Sequence, residues 1–269
     1  MGHTRLGELP KSQKWRAVIE AMARYDPESA SASEMLSEDV EIIAKKTLDA
    51  AQAGLEKAIE DKGLQRAFYL LTQVVLAARG TNWEEHLAQV GIHLSEDGSL
   101  FDLTAEIQNA VDDYLSAHGR PSDISEMAQQ AAGQAVSILA SPKADTLFGS
   151  GGEELRVAIR TLSTKNGFAD LGQKFFGVFM SHFLNFYLSR ATAAQVGGNR
   201  LRHIGDLSKF NTALQRHCEQ TARIVHDFCG EWYSKTEFVE GINPENASRF
   251  MAVALKKLRA EMKQQREKL

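Results

Sequence analysis

Histidine and cysteine are where chemistry would begin in this chain, and two groups of them fall on helical spacing. His226 and Cys229 stand three residues apart, with Cys218 further up the same periodic stretch. Two ligands on one helix make no metal site without partners from elsewhere. No histidine has a glutamate three residues before it, and neither HExxH nor CxxC occurs. The sequence therefore points to no metal and no cofactor, and the cysteines read as small buried hydrophobes. Eleven residues apart in one helical pattern, they would stand about 16 Å from each other, too far to pair.

His182 and Asn185 form the second group, on a stretch that reads as buried. A buried polar group left without a hydrogen bond costs about 1–3 kcal/mol, so the expected arrangement is a satisfied core histidine, joined to a backbone carbonyl or to Tyr187. An enzyme would require His182, Asn185, His226 and Cys229 to converge in space. No residue is assigned a catalytic role.

Two stretches have the composition of anion sites. In Gly197-Gly198-Asn199-Arg200, followed by Arg202 and His203, two arginines and an imidazole gather beside glycines that let a ligand approach the backbone. A tight turn whose arginines pair with neighbouring acids is the more ordinary reading of the same residues. Gly149-Ser150-Gly151-Gly152 precedes a helix but lacks the lysine and the preceding strand of a phosphate loop. Glu153 and Glu154 follow it and would repel phosphate, which leaves a flexible connector.

The end of the chain is basic: from Arg249 to Leu269, seven Lys or Arg stand against two Glu, with Lys256, Lys257 and Arg259 clustered. Residues 27–61 hold nine acids against three lysines. The basic tail and this acidic stretch would either repel other copies of the chain or meet each other. At the other end, Arg5, Leu6, Leu9 and then Trp15 put apolar and cationic groups into a segment without helical or strand periodicity. Such an arm needs a surface to pack on, and Trp and Arg are over-represented among interface hot spots.

The elements that would position these groups are helices. Five prolines among 269 residues, and almost no apolar-polar alternation, leave little room for a sheet. A first helix runs over about 12–25 and ends at Asp26-Pro27. Ser31 and Glu34 then form a capping box ahead of one long amphipathic helix bearing Val40, Ile43, Leu48, Ala51, Leu55 and Ile59. Gly63 interrupts the pattern, and 64–79 carries two apolar stripes. A short helix starts at Thr81 or Asn82. Another starts at Asp102 or Thr104 and ends at Gly119 in a left-handed cap. The next is capped by Ser122 or Asp123 and striped by Ile124, Ala128, Ala131, Ala135 and Ile138. A helix over 153–164 stops at Lys165-Asn166-Gly167.

From Phe168 to Arg190 the Phe-rich stretch is apolar on every side of the helical wheel, as in a helix central to a core. The apolar stretch is shorter than the roughly 20 residues a bilayer requires. A single long helix over 206–234 follows, and Asn243-Pro244 opens the last one. No fixed-period repeat occurs. The fold implied is all-α, an irregular multi-helix bundle of about ten helices. It comprises an extended arm (1–11), a helical lobe (12–140), a connector (141–152) and a second lobe (153–269), or one continuous domain around the Phe-rich helix.

Net charge of −4 gives no global attraction to nucleic acid or to an anionic membrane. The N-terminal residues carry no apolar export stretch, and Leu6 stands where a myristoylation signal needs Ser or Thr, so the expectation is a cytoplasmic protein. The leading functional expectation is a non-catalytic scaffold subunit of a bacterial multi-protein assembly. It would touch another protein subunit through Arg5, Leu6, Leu9 and Trp15 and through the basic terminal helix. The alternative is a nucleic-acid or phosphate-ligand binder using Arg200, Arg202, His203, Lys256, Lys257 and Arg259. No membrane partner is expected.

Overall fold

In a computed structural model, residues 12–25, 38–142, 152–195 and 204–264 are described, with the side chains of 190–195 and 204 left aside. The helices are α1 (Gln13–Arg24), α2 (Glu38–Ala50), α3 (Gln52–Glu60), α4 (Lys62–Ala77), α5 (Trp83–Gln89), α6 (Leu100–His118) and α7 (Asp123–Ala140). They continue with α8 (Gly152–Thr161), α9 (Lys165–Gln195), α10 (Ile204–Thr221), a 3₁₀ turn (Ala222–Val225), α11 (His226–Val239) and α12 (Pro244–Gln264). The described residues contain no strand, and the chain is an all-α multi-helix bundle.

The Phe-rich stretch is the 31-residue helix α9. Phe168, Phe175, Phe176, Phe179, Phe183, Leu171, Met180 and Leu184 are all buried on it. It packs against α7, α10, α11, α1 and α2, with Phe186 left exposed towards its end. Facing it, α4 buries both of its stripes between α6, α7 and α12. Phe68 of α4 is the hub of the joint. Its ring lies 5.5 Å from Phe176 and Phe250, 5.8 Å from Phe175 and Trp232, and 6.2 Å from Phe168. Aromatic pairs of this kind are worth roughly 0.5–1.5 kcal/mol each beyond area burial. One hydrophobic cluster thus contains residues from both the 12–140 and the 153–264 stretches. No described helix is long and apolar enough to cross a membrane.

Several boundaries differ from the sequence expectation for identifiable reasons. The acidic amphipathic stretch is two helices, bent at Ala51 (φ −93°, ψ 14°). Gly63 does not interrupt a helix but sits inside α4, which starts earlier because the Asp61 carboxylate accepts from the Leu64 N–H at 2.8 Å. Glycine is required there because a Cβ would fall 2.2 Å from the Ser125 Cβ of α7.

Ser99 and Asp102 form a capping box, so α6 begins at Leu100 and Asp102 is its third residue. Gly119 ends α6 in an extended conformation (φ −158°) and not a left-handed one. Ser122 caps α7 as expected and Ala128, Ala131 and Ala135 are buried, but Ile138 is exposed, and Ala132 and Val136 join the buried face. Lys165-Asn166-Gly167 opens α9, because the Thr164 hydroxyl accepts from the Gly167 N–H at 3.0 Å.

The helix expected over 206–234 is broken at the 3₁₀ turn Ala222–Val225. Just before it, the buried Thr221 hydroxyl donates to the His217 carbonyl at 2.9 Å, a back-bond that competes with the helical ladder and bends it. Asn243 caps α12, accepting from the Glu245 and Asn246 N–H groups at 3.0 Å. The Ser31–Glu34 capping box and most of the glycine connector lie outside the described residues. Gly152, the connector's last residue, is buried at the start of α8, where a Cβ would come within 2.0 Å of the Glu96 carbonyl oxygen.

Candidate functional site

The basic and acidic stretches meet. Alongside α2 and α3, helix α12 places Lys263 Nζ 2.7 Å from Asp49 and Arg259 Nη1 3.7 Å from Glu56. Lys45 reaches back to the Lys263 carbonyl at 2.7 Å. The Lys257 ammonium sits 4.9 Å from the centre of the Phe228 ring, a cation–π contact on the bundle's own surface. Of the cluster Lys256, Lys257 and Arg259, Lys256 alone has no such contact among the described residues. It is exposed and points to solvent.

Trp15 is half-buried on α1 and stacked on Tyr187 of α9, ring centres 6.0 Å apart. The Tyr187 hydroxyl in turn fills the space beside Gly54, where a Cβ would be 2.0 Å away. Trp15 therefore fastens α1 to the bundle. Arg5, Leu6 and Leu9, and the anion candidates Arg200, Arg202 and His203, lie outside the described residues.

The histidine and cysteine groups are held apart. His226 bridges two carboxylates, Nδ1 at 2.7 Å from Asp227 and Nε2 at 3.1 Å from Asp170. The Asp227 hydrogen bond, with Asp170 adding to it, raises its pKa above the usual imidazole value. Cys229 is fully buried, its sulfur filling the space a Cβ on Gly172 would occupy, 2.2 Å away. Burial pushes the thiols of Cys218 and Cys229 far up, and a thiol held protonated is neither a nucleophile nor a metal ligand. Asp170, which marks the level of His226 on α9, is twelve residues from His182, about 18 Å along the axis at 1.5 Å per residue. The four residues do not converge. Among the described residues no three His, Cys, Asp or Glu side chains gather as a metal-holding group.

His182 also departs from expectation. Its Nε2 is buried with no hydrogen-bond partner, and desolvation lowers its pKa. Tyr187 is occupied elsewhere, stacked between Trp15 and Phe183. What His182 and Asn185 do share is a cleft with α10, lined by Ser181, Ser208, Asn211, Thr212 and Gln215.

A second surface was not singled out by the sequence. At the end of α11, Phe238 is 88% exposed and Val239 69%. They border a cavity of about 500 Å³ shared with Lys165, Glu231, Ser234, Lys235 and Glu237. Beside them on α11, Glu237 pairs with Arg79 at 3.0 Å, and Arg79 donates to the Ser163 carbonyl at 2.5 Å and to the Tyr233 hydroxyl at 3.2 Å. Phe238 lies on the exposed face of α11, in line with Glu231, Ser234 and Lys235, and Val239 follows it at the last residue of the helix. The helix is capped at Glu240, and the chain reverses at Gly241 (φ +74°).

Among the described residues, fold and surfaces together define an all-helical bundle with buried thiols, an exposed apolar helix end and an uncharged polar cleft. No protein family, no curated protein and no solved structure matches the chain.

Proposed function

We propose that this chain is a non-catalytic interaction subunit of a bacterial multi-protein assembly, and that the turn at Phe238 and Val239 is a contact surface for another protein subunit. The supporting observation is the 88% exposure of Phe238 at the end of a helix whose Glu237 and Tyr233 side chains are both held by Arg79. An apolar centre rimmed by Lys165, Glu231, Lys235 and Glu237 has the anatomy of an interface, a desolvated core inside a polar rim. The arm residues Arg5, Leu6 and Leu9 remain part of this proposal. Trp15 contributes by fixing the helix to which the arm is joined.

The nucleic-acid alternative has lost support at α12, where Arg259 and Lys263 are paired with Glu56 and Asp49. The test is purification of the tagged full chain from its host at low salt, with mass spectrometry and an absorbance ratio. A stoichiometric protein partner that is lost on Phe238→Glu and kept on Lys256→Ala is the expected result. A bare monomer, or nucleic acid that leaves as salt rises, would overturn the proposal.

A further inference from the structure

Helices α9 and α10 approach most closely at Gly177, where a Cβ would stand 2.9 Å from the Glu219 Cα. They are clamped at that level by Lys174 to Glu219 at 3.0 Å and by the Gln173 amide donating to the Glu219 carbonyl at 3.3 Å. Further along the same pair, a cleft of about 300 Å³ opens between Ser181, His182 and Asn185 on α9 and Leu207, Ser208, Asn211, Thr212 and Gln215 on α10. That volume is at the lower end of the roughly 300–1,000 Å³ typical of small-molecule sites.

Its chemistry is unusual for the surface of a chain in which one residue in four is charged. Among the described lining residues there is no Asp, Glu, Lys or Arg, and Leu207 is the one apolar side chain. Two rim side chains are already fixed: the Gln215 amide donates to Glu219 at 3.0 Å, and the Thr212 hydroxyl donates to the Ser208 carbonyl at 3.0 Å. The other polar groups are not. His182 Nε2 is buried without a partner, and Asn185 and Asn211 make no side-chain hydrogen bond to a described residue.

A buried imidazole nitrogen with nothing to bond is destabilising, and a small turn of the His182 ring, which lines the cleft, would let a ligand satisfy it. An anion would find no cation among these residues and a cation no carboxylate. Amide and hydroxyl groups both donate and accept, which matches a ligand hydroxyl in both of its roles. We propose that the cleft binds an uncharged polyhydroxyl molecule of the size of a monosaccharide or cyclitol, with His182, Asn185 and Asn211 making its hydrogen bonds and Leu207 lying against its carbon skeleton.

The test is an NMR titration of the full chain, following the His182 imidazole and the Asn185 and Asn211 side-chain amides. The probes are glucose, ribose, myo-inositol and glycerol, with sodium phosphate and spermidine as charged controls. Saturable shifts with at least one neutral probe and none with the controls are expected. Asn211→Ala, at the exposed rim where folding is not at stake, weakens that binding about three- to tenfold, the equivalent of one hydrogen bond. His182→Gln, which keeps a donor and an acceptor, retains more of it than His182→Leu does. Absence of a saturable shift with every neutral probe, equal shifts with phosphate or spermidine, or unchanged affinity in Asn211→Ala and His182→Leu alike would overturn the assignment.

Discussion

Acidification to pH 5 should destabilise this protein through one residue, His217. Its side chain is 1% exposed on α10, its Nδ1 has no hydrogen-bond partner, and burial lowers its pKa to about 4. The folded state holds the imidazole neutral, while the unfolded chain takes up a proton near the ordinary value of about 6.5. With the folded pKa depressed, the contribution of this group is fully present above pH 6.5. It falls as the unfolded state protonates and levels off once the folded state protonates too, near pH 4. The gap between about 4 and about 6.5 corresponds to a total of about 3 kcal/mol, of which about 2 kcal/mol is already lost at pH 5. His182, also lowered by burial, acts in the same direction. His226, raised by Asp227 and Asp170, acts in the opposite one. The assay is urea unfolding of wild type and His217→Leu between pH 8 and pH 5, a range that leaves most carboxylates ionised. The leucine variant fits a similar volume, so at pH 8 it should lie within about 1.5 kcal/mol of wild type. It should lose about 2 kcal/mol less than wild type on acidification. Equal losses in the two proteins would refute the reasoning, because the titration would then belong to other groups.

Two further outcomes follow from close contacts. Gly172→Ala should cost about 1–3 kcal/mol by overpacking, because the new Cβ would come within 2.2 Å of the Cys229 sulfur. Adding Cys229→Ala should recover part of that cost in a double-mutant cycle, and strict additivity by thermal denaturation would count against the contact. Lys263→Ala and Asp49→Ala should each cost no more than about 1 kcal/mol, with a coupling that disappears at high salt, since both side chains of this 2.7 Å pair are about a third exposed or more. A coupling that survives high salt would show that the pair is desolvated.

The sequence was most informative where burial leaves no alternative. A helix with Phe175, Phe176, Phe179 and Phe183 on one face and Leu171, Val178, Met180 and Leu184 on the others has to be central, and α9 buries all of them. Side-chain caps such as Ser122 and Asn243 were legible because they act within three residues. Boundaries were misplaced where a distant neighbour decides them. Gly63 reads as a break but is a packing glycine inside α4, because α7 presses Ser125 against it, and Gly152 is a packed residue because Glu96 lies across it. Neither contact leaves a trace in local periodicity.

The functional surfaces follow the same division. Lysines and arginines near the end of the chain looked available because a sequence records charge but not its partner. Asp49 and Glu56 were in view, yet only the packing of α12 along α2 and α3 couples them to Lys263 and Arg259. In the other direction, His182 was expected to be satisfied because most buried polar groups are, and the departure is set by α10. A helix presenting Ser208, Asn211 and Thr212 toward α9 gives His182 a polar cleft in place of a carbonyl. Those three residues, spaced along one face of α10 amid otherwise ordinary surface polarity, are the part of the pattern that acquires meaning only once the two helices are side by side.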